Sequence, residues 1–290
     1  MYLLLLIPIA YVIIFKYASM VGLVMAFQDY DYSKGFFGSE WVGLENFRRF
    51  FQSYKFGLVL KNTLSISLYS LLLFPLPILF ALMLNAFPGK RYKKMIQTVT
   101  YLPHFFSVVI MVGLLFQILN HNSGMYGSVY RLLTGSVAPN LLAKAKLFPH
   151  IYVWSGIWQN LGYNSILYVA ALSSVDDSLH EAARIDGASR FQRLRYIDIP
   201  GIMPTVSIML ILAVGGIMGV GHEKALLMQN SLNLSYSEII STYEYKIGLA
   251  SGRNDFSLSV AIGLFNSVVN FILLLSANRI SKKVSGNSVF

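Results

Sequence analysis

The stretch "SSVDDSLHEAARIDGASRFQRLRYIDIP", residues 173–200, is a charged island in an otherwise apolar chain. It holds four arginines (Arg184, Arg190, Arg193, Arg195) and five acids (Asp176, Asp177, Glu181, Asp186, Asp198). Across all 290 residues only 12% are charged and 55% are hydrophobic. Soluble domains average roughly 25% charge, so most of this chain reads as membrane-embedded and the island as a loop outside the bilayer.

Outward from the island, apolar run length gives six segments fit to cross a bilayer, which needs about 20 helical residues each. They are residues 3–27, 58–86, 98–119, 149–172, 205–220 and 257–277. The expected fold class is all-α, a polytopic membrane protein with about six transmembrane helices. Pro75 and Pro77 fall inside the second span and predict a kink there. The first run is too long for a signal peptide and reads as a retained span. It lacks a basic flank, so further residues are expected ahead of Met1.

Lys90, Arg91, Lys93 and Lys94 lie between spans two and three, and Arg279, Lys282 and Lys283 in the tail. With the island's arginines they make eleven basic residues, against nine in the longer loops 28–57, 120–148 and 225–256. The denser side should be cytoplasmic, with both termini on it. This loop charge accounts for the net +10 without invoking nucleic acid. There is no cysteine, hence no disulfide or thiolate metal site. On the outer side, "WVGLENFRRFFQS" spaces Leu44, Phe47, Phe50 and Phe51 as a short amphipathic helix.

Within the island, Ser178 and Glu181 fit a capping box, as do Ser189 and Gln192. Gly187 is a natural stop for the first helix, and the second is expected to end before Pro200. Ala182 and Ala183 give the first helix a slim face; Phe191, Leu194 and Ile197 give the second an apolar one. Such a pair suits docking, and equally suits a solvated hairpin.

The island closely resembles the signature loop of membrane subunits of bacterial binding-protein-dependent ABC importers. That pattern is Glu-Ala-Ala, three residues, Gly, nine residues, then Ile-x-Leu-Pro. Here it runs Glu181-Ala182-Ala183, Gly187, Ile197-Asp198-Ile199-Pro200, with Ile199 in place of Leu. Asp186 and Ala188 fit the common form around the glycine. "NTLSISLY", "QTVTYLPHF", "IDIPGIMPT" and "ANRIS" resemble the carbohydrate- and polysaccharide-uptake branch. The resemblance implies one type I ABC importer permease domain over residues 1–290, with a cytoplasmic coupling loop at 173–204. It implies a second homologous permease, two cytoplasmic ATPase subunits and an extracytoplasmic solute-binding protein, in the bacterial cytoplasmic membrane. It also implies a coupling role for Glu181, Ala182, Ala183, Asp186, Gly187 and Ala188. The chain has no G-x-x-x-x-G-K-[ST] loop, so ATP and its Mg are expected on the partner ATPase and no cofactor on this chain.

The same resemblance puts sugar contacts in "WSGIWQNLGYNS" (154–165) and "GGIMGVGHEKA" (215–225). It favours Gln159, Asn160, Tyr163, Gly216 and His222, where amides satisfy hydroxyls and rings stack on sugars. The plainer reading is helix packing at the glycines and interfacial anchoring at Trp154 and Trp158. A lipid, peptide or amino-acid substrate is the alternative within the importer class. An ion-coupled carrier would need buried mid-span acids, and an enzyme clustered ligands or carboxylates; the five histidines have no ligand spacing. Outer loops and span ends carry Lys55, Lys61, Arg131, Lys144, Lys146, Lys224, Lys246 and Arg253 against an equal number of acids. Lys34, Arg48 and Arg49 tip the balance slightly positive, which leans the expected oligosaccharide or polysaccharide toward an acidic one.

Overall fold

The computed structural model describes residues 2–87, 89–250, 252, 254–286 and 288; Arg253 lies outside them. The order along the chain is α1 (Leu5–Phe27), strands β1 (Gln28–Asp29) and β2 (Glu40–Trp41), α2 (Glu45–Gln52) and α3 (Phe56–Ala86). Then come α4 (Lys90–Phe105), α5 (Val108–Leu119), α6 (Met125–Thr134), α7 (Phe148–Ser173) and α8 (Asp177–Ile185). The chain closes with α9 (Arg190–Gly215), α10 (His222–Met228), α11 (Ile240–Tyr245) and α12 (Phe256–Ser285). The two strands pair antiparallel, Gln28 with Trp41, and everything else regular among the described residues is helical.

Among the described residues, four helices are long and apolar enough to cross a membrane: α1, α3, α9 and α12 through Lys283. The α4–α5 pair makes a fifth if its halves count as one span. With 26 residues, α7 is long enough by length, but polar side chains dilute its apolar character.

Two spans depart from the expected outlines. The run 98–119 is not one straight helix: α4 and α5 meet at 104°. Pro103 brings no N–H, and Ser107 recaps the chain, its side chain accepting from the Ile110 N–H at 3.3 Å. The second island helix does not end before Pro200 but runs into the fifth span as α9. A π turn at Leu194–Asp198, where the Ile199 N–H reaches back to the Leu194 carbonyl, gives the proline ring room. That span ends at Gly215, short of Val220, and residues 216–221 are irregular. In α3 the expected break sits just before Pro75, where the N–H groups of Leu73 and Phe74 bond three residues back.

The chain forms two compact units. One takes residues up to Thr63 together with Glu238–Val269; the other takes Leu64–Ser237 with the tail from Asn270. The core of the first is aromatic: Phe50 of α2 is fully buried, with Phe56 at 5.0 Å and Phe265 at 5.6 Å between ring centroids. So α2 forms as its pattern predicts, although Leu44 and Phe51 stay exposed. The Asn46 amide donates to the carbonyls of Ala26 (3.1 Å) and Gln28 (2.9 Å), clasping the end of α1. Buried Glu238 accepts from Lys55 and, at 3.4 Å, from Lys246. The hydrogen bond to Glu238 raises the Lys55 pKa above the usual lysine value.

In the second unit, Ala81 and Leu82 of α3, Tyr168 and Leu172 of α7 and Ile202 of α9 form a buried cluster. Gly162 lets α7 approach α4 so closely that a Cβ there would collide with the Thr100 carbonyl. Gly215 does the same for α9 against Leu274 of α12, at 2.5 Å.

Candidate functional site: an inner cavity and a charged loop

Within the second unit, α3, α7, α9 and the irregular 216–221 segment line an open-mouthed cavity of about 480 Å³. That falls within the range of small-molecule sites. Apolar side chains form most of the wall; Ser67, Ser70, Tyr152, Asn160, Asn164 and Tyr168 supply the polar groups. The glycine-rich break at Gly216, Gly219 and Gly221 is part of that wall. Irregular backbone at membrane depth is tolerated where it lines a cavity. Here the Met218 N–H is satisfied by the Asn270 side chain at 3.0 Å.

Of the residues favoured from sequence, Asn160 and Gly216 line the cavity; Gln159, Tyr163 and His222 do not. Gln159 is buried, its amide donating to the Phe106 carbonyl at 3.2 Å where α4 breaks from α5. Tyr163 stacks on His104, ring centroids 3.6 Å apart and planes within 6°. The His104 Nδ1–H donates to the Asn160 carbonyl oxygen at 2.8 Å, and the Asn160 amide donates to the Gly156 carbonyl. His222 is exposed at the start of α10. Trp154 and Trp158 flank a different, almost wholly apolar groove with Met111, Leu115 and Ile118.

Sequence reasoning did not single out His104, Tyr152 or Lys224 as a group. Lys224 is buried on α10, beyond the end of the α9 span. Its ammonium donates to the Tyr152 carbonyl at 2.9 Å and lies 4.7 Å above the Tyr152 ring. Burial pushes its pKa down to about 8, so it is still largely charged at neutral pH. The readable signal was a lysine next to a glycine-rich run at a span end. Ser67 and Ser70, three apart in an apolar helix, were another.

The island is a helix–turn–helix. Asp176, not Ser178, caps α8: its carboxylate accepts from the Ser178 N–H at 2.9 Å. That contact holds the Asp176 pKa below the usual carboxylate range. The expected Ser178–Glu181 box is therefore absent; the extended residue ahead of the helix is an Asp, itself a strong cap. Gly187, at φ +79°, closes α8 in a Schellman motif. The Ala188 N–H bonds to the Ala183 carbonyl (2.8 Å) and the Gly187 N–H to that of Arg184 (3.1 Å). Ser189 and Gln192 form the expected capping box. His180 Nε2 lies 3.3 Å from a carboxylate oxygen of buried Asp198, tying α8 to the π turn.

Glu181, Ala182, Asp186 and Gly187 are exposed, Ala183 and Ala188 half-buried. Leu194 packs on the Tyr168–Ile202 cluster, but Phe191 is 69% exposed and Ile185 87%. The loop thus presents apolar side chains and free charges together.

The family model described as "Binding-protein-dependent transport system inner membrane component" matches residues 73–286. Protein LplB of Bacillus subtilis (strain 168) is 41% identical over 100% of this chain and 91% of its own length. The polygalacturonan/rhamnogalacturonan transport system permease protein YteP of the same organism is 40% identical over 100% of this chain and 90% of its own. A chain of a bacterial ABC transporter involved in the import of the acidic polysaccharide alginate, solved as a crystal structure, superposes with TM-score 0.89. It is 38% identical, over 98% of this chain and 95% of that one. A crystal structure of a bacterial alginate ABC transporter in complex with an alginate pentasaccharide-bound periplasmic protein gives TM-score 0.90 at 37% identity, over 99% and 96%.

Proposed function

Because the chain belongs to the family of inner membrane components of binding-protein-dependent transport systems, we propose that it is the permease subunit of an ATP-driven importer of oligosaccharides or polysaccharides. The observation that carries the substrate class is that relatives matching nearly the whole chain are named for polysaccharide transport or import. The cavity supports it: Ser, Asn and Tyr side chains on an apolar wall can serve hydroxyls and sugar faces alike.

The permease works with a second homologous permease, two cytoplasmic ATPases that bind ATP and Mg, and an extracytoplasmic binding protein. Both termini and the island lie in the cytoplasm. The helix α8 enters a groove of one ATPase, and Glu181 pairs with a basic residue there. Two features favour this: Glu181 makes no capping bond of its own, and Ile185 and Phe191 of the same loop stand exposed. ATP binding can bias inward- and outward-open states only if these contacts differ between them. Asn160 and Gly216 contribute to the sugar path; Gln159, Tyr163 and His104 brace it.

The test is uptake by liposomes holding the complete importer, offered a labelled uronic-acid oligosaccharide and a neutral one of equal length. ATP-dependent, binding-protein-dependent entry of either supports the reading. Entry of neither, with a lipid, peptide or amino acid carried instead, overturns it.

A further inference from the structure

Lys224 is a buried cation with no anionic partner among the described residues. Its exposure is 9%, and its ammonium, with three donors, uses one, on the Tyr152 carbonyl. The ring face of Tyr152 offers only a weak further attraction. Its neighbour Glu223 is exposed and in no ion pair among the described residues. A buried charge normally has a counter-charge, because leaving it alone in a low-dielectric setting is costly.

Lys224 does not itself line the cavity; its ammonium lies directly behind the wall. Tyr152, Gly156 and Gly221 all line the cavity. Gly156 leaves the wall thin: a Cβ there would stand 3.3 Å from Lys224 Nζ. The Tyr152 hydroxyl donates to the Gly221 carbonyl at 3.1 Å, which fixes the ring beneath the ammonium. Among the described residues, no Asp, Glu, Lys or Arg side chain lines the cavity itself. A carboxylate inside it would therefore find one nearby positive charge, with two donors to spare.

We propose that Lys224 forms a carboxylate-binding subsite of the cavity, receiving the acid group of a uronic-acid residue as the sugar chain passes. This rests on the importer reading above and deepens it, by assigning the charge preference to one side chain. It also gives the thin wall at Gly156 a purpose, since any larger residue would separate the ammonium from the cavity.

The test uses liposomes containing the complete importer as wild type, Lys224→Met and Lys224→Arg, each checked for assembly by size-exclusion chromatography. Uptake of a uronic-acid oligosaccharide is compared with that of its methyl ester, in which the charge is removed. Lys224→Met should lower uptake of the acid about tenfold relative to wild type and change that of the ester less than twofold. Lys224→Arg should keep acid uptake within about threefold. Unchanged acid uptake in Lys224→Met, or equal loss of both sugars in both variants, overturns the subsite while leaving the importer reading intact. Wild-type liposomes that carry neither sugar overturn both.

Discussion

Glu181 has no hydrogen bond or ion pair among the described residues, whereas Asp176, five residues earlier, is engaged as the helix cap. The Glu181→Lys variant should therefore fold normally, yet lower binding-protein-stimulated ATP hydrolysis about tenfold, or ~1.4 kcal/mol in coupling. Unchanged stimulation would remove Glu181 from the coupling contact. Glu244 offers a second residue-level expectation. It is half-buried beside Gly263 with no partner for its carboxylate among the described residues, and burial raises its pKa to about 7. The folded state thus holds this proton more tightly than the unfolded one. Its contribution is fully present below about pH 4.5 and is lost as pH rises toward 7. Replacing it by Gln should flatten that dependence and raise the melting temperature at pH 8 by a few degrees, about 1 kcal/mol after solvent screening. At this scale the sequence was legible where chemistry is local: Gly187 and the Ser189–Gln192 box form as read. Ser178 was misassigned because two strong caps, Asp176 and Ser178, compete within one turn, and spacing alone does not choose between them.

Among the elements, the α4–α5 bend depends on a neighbour. Gln159 on α7 satisfies the Phe106 carbonyl that the break frees. Gln159→Leu keeps the volume and loses the bond, and should cost about 1–3 kcal/mol, seen as a lower melting temperature of the purified complex. Gly162→Ala should cost a similar ~1–3 kcal/mol by forcing α7 away from Thr100; a neutral result would mean that α4 gives way freely. The spans were legible because long apolar runs have few other uses. The bend and the π turn were not, because run length does not record which carbonyl lacks a donor. Pro103 and Pro200 marked both places, but proline alone does not say whether a helix stops, bends or widens by one residue.

For the whole molecule, the family and the branch were legible from one spaced pattern and a few flanking phrases. The cavity was only half so: Asn160 and Gly216 were reached, while Lys224 required seeing α10 beside α7. The assembly makes its own prediction. Native mass spectrometry of the importer should find this chain once, with a second homologous permease, two ATPases and the binding protein. A stable, active complex holding two copies of this chain would contradict that arrangement.

The unit built from the segment up to Thr63 and from Glu238–Val269 has a consequence for how the protein is made. The Asn62 amide donates to the Glu238 carbonyl, 176 residues later, and Arg49 binds Asp255, 206 residues later. The Thr63 hydroxyl likewise accepts from the Ile240 N–H. A ribosome delivers the first half of this unit long before the second. Until then the Asn62–Glu238, Thr63–Ile240 and Arg49–Asp255 bonds cannot form. A nascent chain that stops short of Glu238 can make none of these three contacts, so this unit closes only after most of the chain has been delivered.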